Sequence, residues 1–454
     1  MREIHNRHIA VLGAARSGRA VARLLHRHGG RLFVSEYGSM PDAARTELDQ
    51  AGIPWEENGH SEKVFEADWV VLSPGVPDQS PTVQQLMAQR TAIYSELEVA
   101  SWFNQSPMVA VTGSNGKTTV THWLSDLWKR AGREAQMGGN VGIPLSDLVE
   151  ESGRDRTMIL EVSSFQLDHV EQFRPDVALL LNITPDHLDR YDHDFDRYAA
   201  AKRRLFDQQG PEQIAILNAD DPESRATATL LRQRESPPRL LTYSTEGPVA
   251  EGAWVEDRTI RFNLNGVMEQ LMSVDEMGLP GLHNVSNGLA TALAGRVSEI
   301  SSDAIRESLN RFSGVEHRLE LVRTRNGIQW INDSKATNIN AVWFALQSFH
   351  MPMVLILGGR DKGNNYLELE RPLREKVHTV IALGEAKETI REQLSGIVPD
   401  ICTVSTLDEA VRKADTVAKR GETVLLSPAC ASFDMFKSYE DRGDQFKALV
   451  QALL

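Results

Sequence analysis

The chain has 454 residues, 41% hydrophobic and 25% charged, which is the composition of a globular protein of about three domains and not of a disordered or fibrous chain. Lys and Arg number 49 against 63 Asp and Glu, a formal charge of −14 that disfavours wrapping nucleic acid, so an anionic ligand must be met by local backbone amides, a few placed cations or metal ions. No apolar run approaches the roughly 20 residues of a membrane helix, the first residues carry Arg, His and Glu where an export signal would be apolar, and Cys402 and Cys430 form neither a disulfide framework nor a zinc cluster, so a cytoplasmic protein without membrane insertion is expected.

In chain order, HIAVLGAARSG is the first of three units in which an apolar strand runs into a Gly-rich turn and then a helix. Its turn, Gly13-Ala14-Ala15-Arg16-Ser17-Gly18, with Glu36 ending a second strand, imitates a dinucleotide fingerprint in which Ala15 replaces the middle glycine. The turn reads as a nucleotide or nucleotide-sugar pocket, which Ser73-Pro74-Gly75 after the strand Trp69 to Leu72 can line. The polar stretch NQSP near Ser106 marks a domain boundary.

The second unit, MVAVTGSNGKTT, carries the strongest signal. A strand ending in a Gly-rich loop that opens a helix aims several backbone N–H groups and the positive helix end at one point, a cradle for a polyphosphate. Val120, Trp123, Leu124, Leu127 and Trp128 make one buried stripe of that helix. Lys117 would reach the β- and γ-phosphates and the Thr118 hydroxyl would ligate Mg²⁺. Val111 stands where the strict P-loop has its first glycine, so the loop is a variant; the plain alternative is a βα turn with a solvent-facing lysine. Glu161, at the end of the apolar run MILEV and followed by the polar turn Ser163, Ser164 and Gln166, sits where a Walker B carboxylate holds the metal. His187 follows the run VALLLNIT and is read as a metal ligand, with general base and capping residue as alternatives. Lys202, taken from the residues alone, is a solvated helix lysine. Ser236 to Asn265 look like a small meander of alternating strands, and Ser313-Gly314 is the second boundary.

The third segment places Asn332 to Asn338 between the strand IQWI and a helix with Ala341, Val342, Ala345, Leu346 and Phe349 on one face. Asp333, Lys335 and Thr337 would then lie at a helix start, able to meet a nucleotide or carboxylate, although Thr337 can equally cap that helix. Lys362, in the third Gly-rich turn after MVLILG, and the loop Ser427 to Asp434 after TVLL would complete a rim. The expected fold is α/β with three domains, each a mainly parallel sheet flanked by helices: Rossmann-like over 1–105, P-loop over 106–313 and Rossmann-like again over 314–454.

The set TGSNGKTT, LEVSSFQLD, NITPDHLDRY, YAAAKRRLF, GLHNVSN, EHRLE, NDSKATN, LGGRDK and SPACASFDMF resembles the Mur ligases across all three segments in order. GAARSG, NDSKATN and SPACASFDMF resemble the D-glutamate-adding branch. The resemblance implies an enzyme that joins D-glutamate to UDP-MurNAc-L-Ala at the expense of ATP, through an acyl phosphate, in peptidoglycan synthesis; a monomer is expected. By the same resemblance Gly113, Asn115, Gly116, Lys117, Thr118 and Thr119 bind ATP, with Asn284 and Asn287 at adenine, Arg318 at the γ-phosphate and Asp333 at the ribose. Thr118 and Glu161 would bind a first Mg²⁺, His187 and Lys202 a second, with Lys202 carbamylated by CO₂, which replaces the solvated-lysine reading. Gly13, Arg16, Ser17, Ser73 and Gly75 would hold the UDP-sugar, and Asn140, Ser163 and Gln166 its reacting end. Lys335, Thr337, Lys362, Ser432 and Tyr439 would position D-glutamate, Tyr439 standing where the family often has Phe. Lys117, Lys202, His187, Lys335 and Arg318 would carry the catalysis. Tyr37-Gly38 replace the Thr-Arg of well-known members. The alternatives are a relative adding another amino acid, such as a folylpolyglutamate synthase, and a nicotinamide dehydrogenase, which would leave Lys117, Glu161 and His187 without a task.

Overall fold

The computed structural model describes residues 4–186, 188–279, 281–349, 351–361 and 363–453, in two compact units, Met1–Phe312 and Ser313–Leu454. The first unit contains a five-stranded and a nine-stranded sheet, the second a six-stranded one.

The five-stranded sheet is wholly parallel, in the order Trp55–Glu56, Arg31–Ser35, His8–Leu12, Trp69–Leu72, Ala92–Ser95. Ile9 to Leu12 are fully buried because helices cover both faces, the environment that demands an unbroken apolar run. The chain builds outward from His8–Leu12 first on one side and then on the other, so the Gly13 turn lies at a topological switch point, where α/β sheets open a crevice.

In the nine-stranded sheet Met108–Thr112 lies between Arg156–Glu161 and Val177–Leu180, parallel to both, with Val111 opposite Glu161 and Thr112 opposite Leu180. This register delivers the P-loop, Glu161 and the segment after Leu180 to one edge of the sheet. The helix Lys117–Arg130 buries the predicted stripe completely, and Trp123 stacks on Phe312 with centroids 4.7 Å apart. The expected meander is shifted. Arg239–Ser244 joins the parallel sheet, and only Gly252–Glu256, Thr259–Leu264 and Val267–Ser273 run antiparallel. The reason is local: the tight turns at Asp257-Arg258 and Asn265-Gly266 have positive φ at both residues, the geometry of two-residue hairpins, and no such turn follows Ser244.

The six-stranded sheet runs Glu320–Arg325, Ile328–Asn332, Thr423–Leu426, Met353–Gly358, Val377–Leu383, Asp400–Thr403, antiparallel only in its first pair. Separate apolar clusters around Leu355 and Ile356 fill its two faces. The Gly358 turn does not open a helix directly. Asp361 accepts hydrogen bonds from the amides of Gly363 and Asn364, closing a loop, and helical structure begins only at Tyr366.

Candidate active site

Gly116, at φ 84°, turns the chain into the helix that starts at Lys117, and a side chain there would lie 2.5 Å from Asn287 Oδ1. Asn287 thus lies against the P-loop from the first turns of the helix Leu282–Val297, which also carries the buried Asn284. The loop is held from its other side by Asn182 and Thr184, at the end of the run VALLLNIT, neither of which the sequence reading singled out. Ser114 donates its amide to the Asn182 carbonyl, Asn115 donates its amide to Asn182 Oδ1 at 2.9 Å, and the Ser114 hydroxyl donates to the Thr184 carbonyl at 2.8 Å. The one available signal for Asn182 was a polar residue closing an otherwise apolar run.

Two lysines converge on a single carbonyl. Lys117 Nζ donates to Gly113 O and Ser114 O, both at 2.8 Å, and Lys202 Nζ donates to Gly113 O at 2.9 Å. Lys202 is 2% exposed and lies 4.7 Å from the centre of the Tyr198 ring, whose hydroxyl is 2.9 Å from Ser114 Oγ. The solvated-lysine reading is therefore corrected. Burial, then the neighbouring Lys117 charge, depress the Lys202 pKa well below the ordinary lysine value, against the weaker pull of Asp186, Asp168 and Glu161. Lys202 is placed by the helix Phe195–Arg203, whose Asp194 cap accepts the amides of Asp196 and Arg197.

Glu161 is also buried. Its Oε1 accepts from Asn140 Nδ2 at 2.8 Å, the Asn140 amide donates to the Glu161 carbonyl, and Oε2 has no partner. An orphaned buried carboxylate oxygen at the strand end next to the P-loop, with Thr118 in the first turn of the helix that follows that loop, suits a hard cation with oxygen ligands. Among the described residues no group of three or more His, Cys, Asp or Glu is preassembled for a metal, and His187 lies outside them. Ser163 donates its amide and hydroxyl to Gln166 Oε1, both at 3.0 Å, a helix-start arrangement that leaves the buried Gln166 Nε2 unpartnered. Thr119 is nearly buried in the same helix turn as Thr118.

At the Gly13 turn, the Ala14 amide donates to Glu36 Oε2 at 2.7 Å and the Ser73 hydroxyl to Gly13 O at 2.9 Å. A Cβ on Gly18 would lie 1.9 Å from Gly13 O, so glycine is what lets the helix Arg16–Arg27 approach the strand. Arg16 and Ser17 open that helix, Arg16 exposed. Around Gly75 there is open space where a side chain would go, so nothing there requires glycine. Tyr37 is largely exposed, its ring 5.9 Å from that of His60.

In the second unit Asp333 is buried. Its Oδ2 accepts from Ser427 Oγ at 2.8 Å and Oδ1 from the Leu319 amide at 3.2 Å, and burial pushes its pKa up to about 7 despite the nearby Arg318 charge. Lys335, half-buried, lies over the Tyr439 ring at 6.0 Å, Ser432 is buried in the loop after Leu426, and Thr337 is half-buried. Lys362 lies outside the described residues. The two loops are tied by Arg442, which was not singled out from sequence, where a helix arginine reads as solvated. It is 1% exposed and donates through Nε to Ser334 Oγ (2.9 Å), through Nη2 to Ser334 O (2.8 Å) and through Nη1 to Cys430 O (3.2 Å). Burial lowers its pKa to about 10, which leaves it charged at neutral pH.

Three family descriptions match in chain order: the MurD N-terminal domain over residues 8–82, the Mur ligase middle domain over 111–295 and the Mur ligase glutamate ligase domain over 317–430. The UDP-N-acetylmuramoylalanine–D-glutamate ligase of Salinibacter ruber is 48% identical over 457 residues, covering 100% of this chain and 99% of the relative. The protein of the same name from Porphyromonas gingivalis is 44% identical, with 97% of each covered. Among solved structures, UDP-N-acetylmuramate-alanine ligase MurC from Thermotoga maritima matches with a TM-score of 0.57 at 18% identity, covering 98% of this chain and 100% of that one. MurF ligase from Thermotoga maritima in complex with ADP matches at 0.55 and 16%, covering 99% and 98%. These structures share the fold.

Proposed function

The chain belongs to the Mur ligase family, and from that premise we propose that it is the ATP-dependent ligase that joins D-glutamate to UDP-MurNAc-L-Ala in peptidoglycan synthesis, releasing ADP and phosphate. The carboxylate of UDP-MurNAc-L-Ala attacks the ATP γ-phosphorus and displaces ADP. The amine of D-glutamate then attacks the acyl-phosphate carbonyl, phosphate leaves and the amine proton is lost to solvent.

The observation that carries this reading is the convergence of Lys117 and Lys202 on Gly113 O, together with the unpartnered buried Oε2 of Glu161. Both reactants are anions, and two like charges about 4 Å apart repel by roughly 4 kcal/mol even at an effective dielectric of 20, so cations must be in place before they can meet. Lys117, now folded onto loop carbonyls, exchanges these for the β- and γ-phosphates, while the amides of Gly113, Gly116, Thr118 and Thr119 cradle the chain of phosphates in the loop that Asn115, its own amide held by Asn182, keeps in shape. Asn284 and Asn287 contact adenine; Arg318 meets the γ-phosphate and Asp333 the ribose. Mg²⁺, when bound, neutralises the phosphate oxygens. Thr118 and Glu161 would hold one ion, and His187 with Lys202 the other.

An ammonium at Lys202 would repel such an ion. Burial favours its neutral amine, which is the form that adds to CO₂: the nitrogen lone pair forms the N–C bond, one proton leaves to solvent, and an anionic carbamate results. Gly13, Arg16, Ser17, Ser73 and Gly75 hold the UDP-sugar, and Asn140, Ser163 and Gln166 its reacting end. Lys335, Thr337, Lys362, Ser432 and Tyr439 receive D-glutamate. We place the domains at 1–105, 106–313 and 314–454, acting as a monomer in the cytoplasm; no helix among the described residues is long and apolar enough to cross a membrane. The test is isotopic. With ¹⁸O in the substrate carboxylate, ¹⁸O is expected in the released phosphate only when ATP and D-glutamate are present; its absence there under turnover refutes the acyl phosphate.

A further inference from the structure

The loop that follows the strand Trp69–Leu72 is attached at both ends. At one end Ser73 Oγ donates to Gly13 O at 2.9 Å. At the other, Arg190 reaches across 114 positions of sequence to donate through Nη2 to Val76 O at 3.1 Å, and to Pro74 O at 3.3 Å. The Arg190 carbonyl in turn accepts from Gln79 Nε2 at 2.6 Å, and its guanidinium lies 4.4 Å from the centre of the Phe165 ring. A second attachment joins Asp78 Oδ1 to His169 Nε2 at 2.9 Å, while the His169 carbonyl accepts the Ser95 amide.

Arg190 is followed by Tyr191, whose ring stacks on Phe165 at 6.1 Å and meets Tyr198 edge-on at 5.5 Å. Tyr198 contacts Ser114 and Lys202. One continuous set of contacts therefore runs from the Gly13 turn, through the 73–79 loop and Arg190, to the P-loop. A guanidinium suits this position because its Nη2 can serve two carbonyls while its plane covers an aromatic ring; an ammonium of the same charge can donate to carbonyls but has no plane to lay over the ring.

We propose that Arg190, assisted by the Asp78–His169 pair, is a positioning residue that latches the Ser73–Gln79 loop to the P-loop side of the site and so sets where a UDP-sugar bound at the Gly13 turn presents its carboxylate. The inference rests on the UDP-sugar reading of that turn. Arg190 acts through the loop and not on the reacting atoms.

The test uses the full chain with Arg190→Ala, Arg190→Lys and Asp78→Asn, each confirmed folded by its melting curve. In Arg190→Ala the KM for UDP-MurNAc-L-Ala is expected to rise about tenfold, as for loss of charge-assisted hydrogen bonds, with the KM for ATP within about twofold. Arg190→Lys is expected to recover only part of that loss, and Asp78→Asn to add little once Arg190 is already Ala, because both act on one loop. Independently, the amides of Val76 and Ser80, which bond back to Ser73 and Pro77, are expected to exchange with solvent faster in Arg190→Ala than in the wild type, with P-loop amides unaltered. An unchanged KM, a parallel rise of both nucleotide KM values, or unaltered exchange at Val76 and Ser80 overturns the latch. Should the wild type release no phosphate in response to D-glutamate, the functional reading fails, and the exchange result alone upholds or overturns the latch.

Discussion

Lys202 and Glu96 show how burial sets the chemistry of a single ionisable group. For Lys202 the neutral amine is favoured, and in the proposed function its use is catalytic. Lys202→Ala is expected to lower kcat by about 10³-fold, the scale of losing a group that stabilises charge in the transition state, and rigorously CO₂-free buffer should slow the wild type in step with loss of a carbamate carbon signal by ¹³C NMR. Full wild-type turnover without CO₂ would refute the carbamate. Glu96 is fully buried; its Oε1 accepts the Ser146 amide at 2.7 Å, Oε2 has no partner, and burial pushes its pKa up to about 7 from 4.5. The sign follows directly. The folded state holds this proton more tightly than the unfolded one, so the contribution is full below about pH 4.5 and is lost as pH rises through about 7. Glu96→Gln keeps the acceptor and removes the titration. It should raise stability at pH 8 by up to about 3 kcal/mol and leave it nearly unchanged at pH 5, read from urea unfolding at both values. Equal gains at both values would contradict the assignment.

At the scale of elements, the strand–loop–helix around the P-loop was legible because its signals are local: an apolar run, glycines in the turn and a 3.6-residue stripe. Gly116 combines a left-handed φ with contact against Asn287. Gly116→Ala should cost about 1–3 kcal/mol of local strain and raise the KM for ATP at least tenfold, with the KM for D-glutamate nearly unchanged; kinetics with each substrate varied in turn decides this. An unaltered KM for ATP would mean that the loop conformation is not what binds the phosphates. Elements whose ends are set by side-chain chemistry were read less well. The helix expected after Gly358 begins late because Asp361 closes its own turn, and the meander begins at Gly252 because the two positive-φ turns lie beyond it.

At the scale of the molecule, the first unit is built on two sheets and the second on one, each with its own apolar clusters. Residues 313–454 bury apolar side chains on both faces of a six-stranded sheet and tie two loops through Arg442. Expressed alone, this segment is expected to unfold in one cooperative urea transition, and Arg442→Ala to destabilise it by about 3–5 kcal/mol through loss of a buried, hydrogen-bonded charge. A gradual, non-cooperative transition would show that the segment depends on the rest of the chain.

The amino-acid sequence by itself determined the alternation of buried strands and helices, the Gly-rich turns at strand ends and hence the positions of Lys117, Thr118 and Glu161, because each rests on residues within a turn or two of one another. Only the tertiary structure decided that Lys202 is buried on Gly113 O, that Arg442 and Arg190 each tie distant loops, and that Asn182 braces the P-loop. Desolvation and hydrogen-bond partnership are properties of a place in space. For these residues that place is assembled from segments far apart in the chain, which no local periodicity encodes.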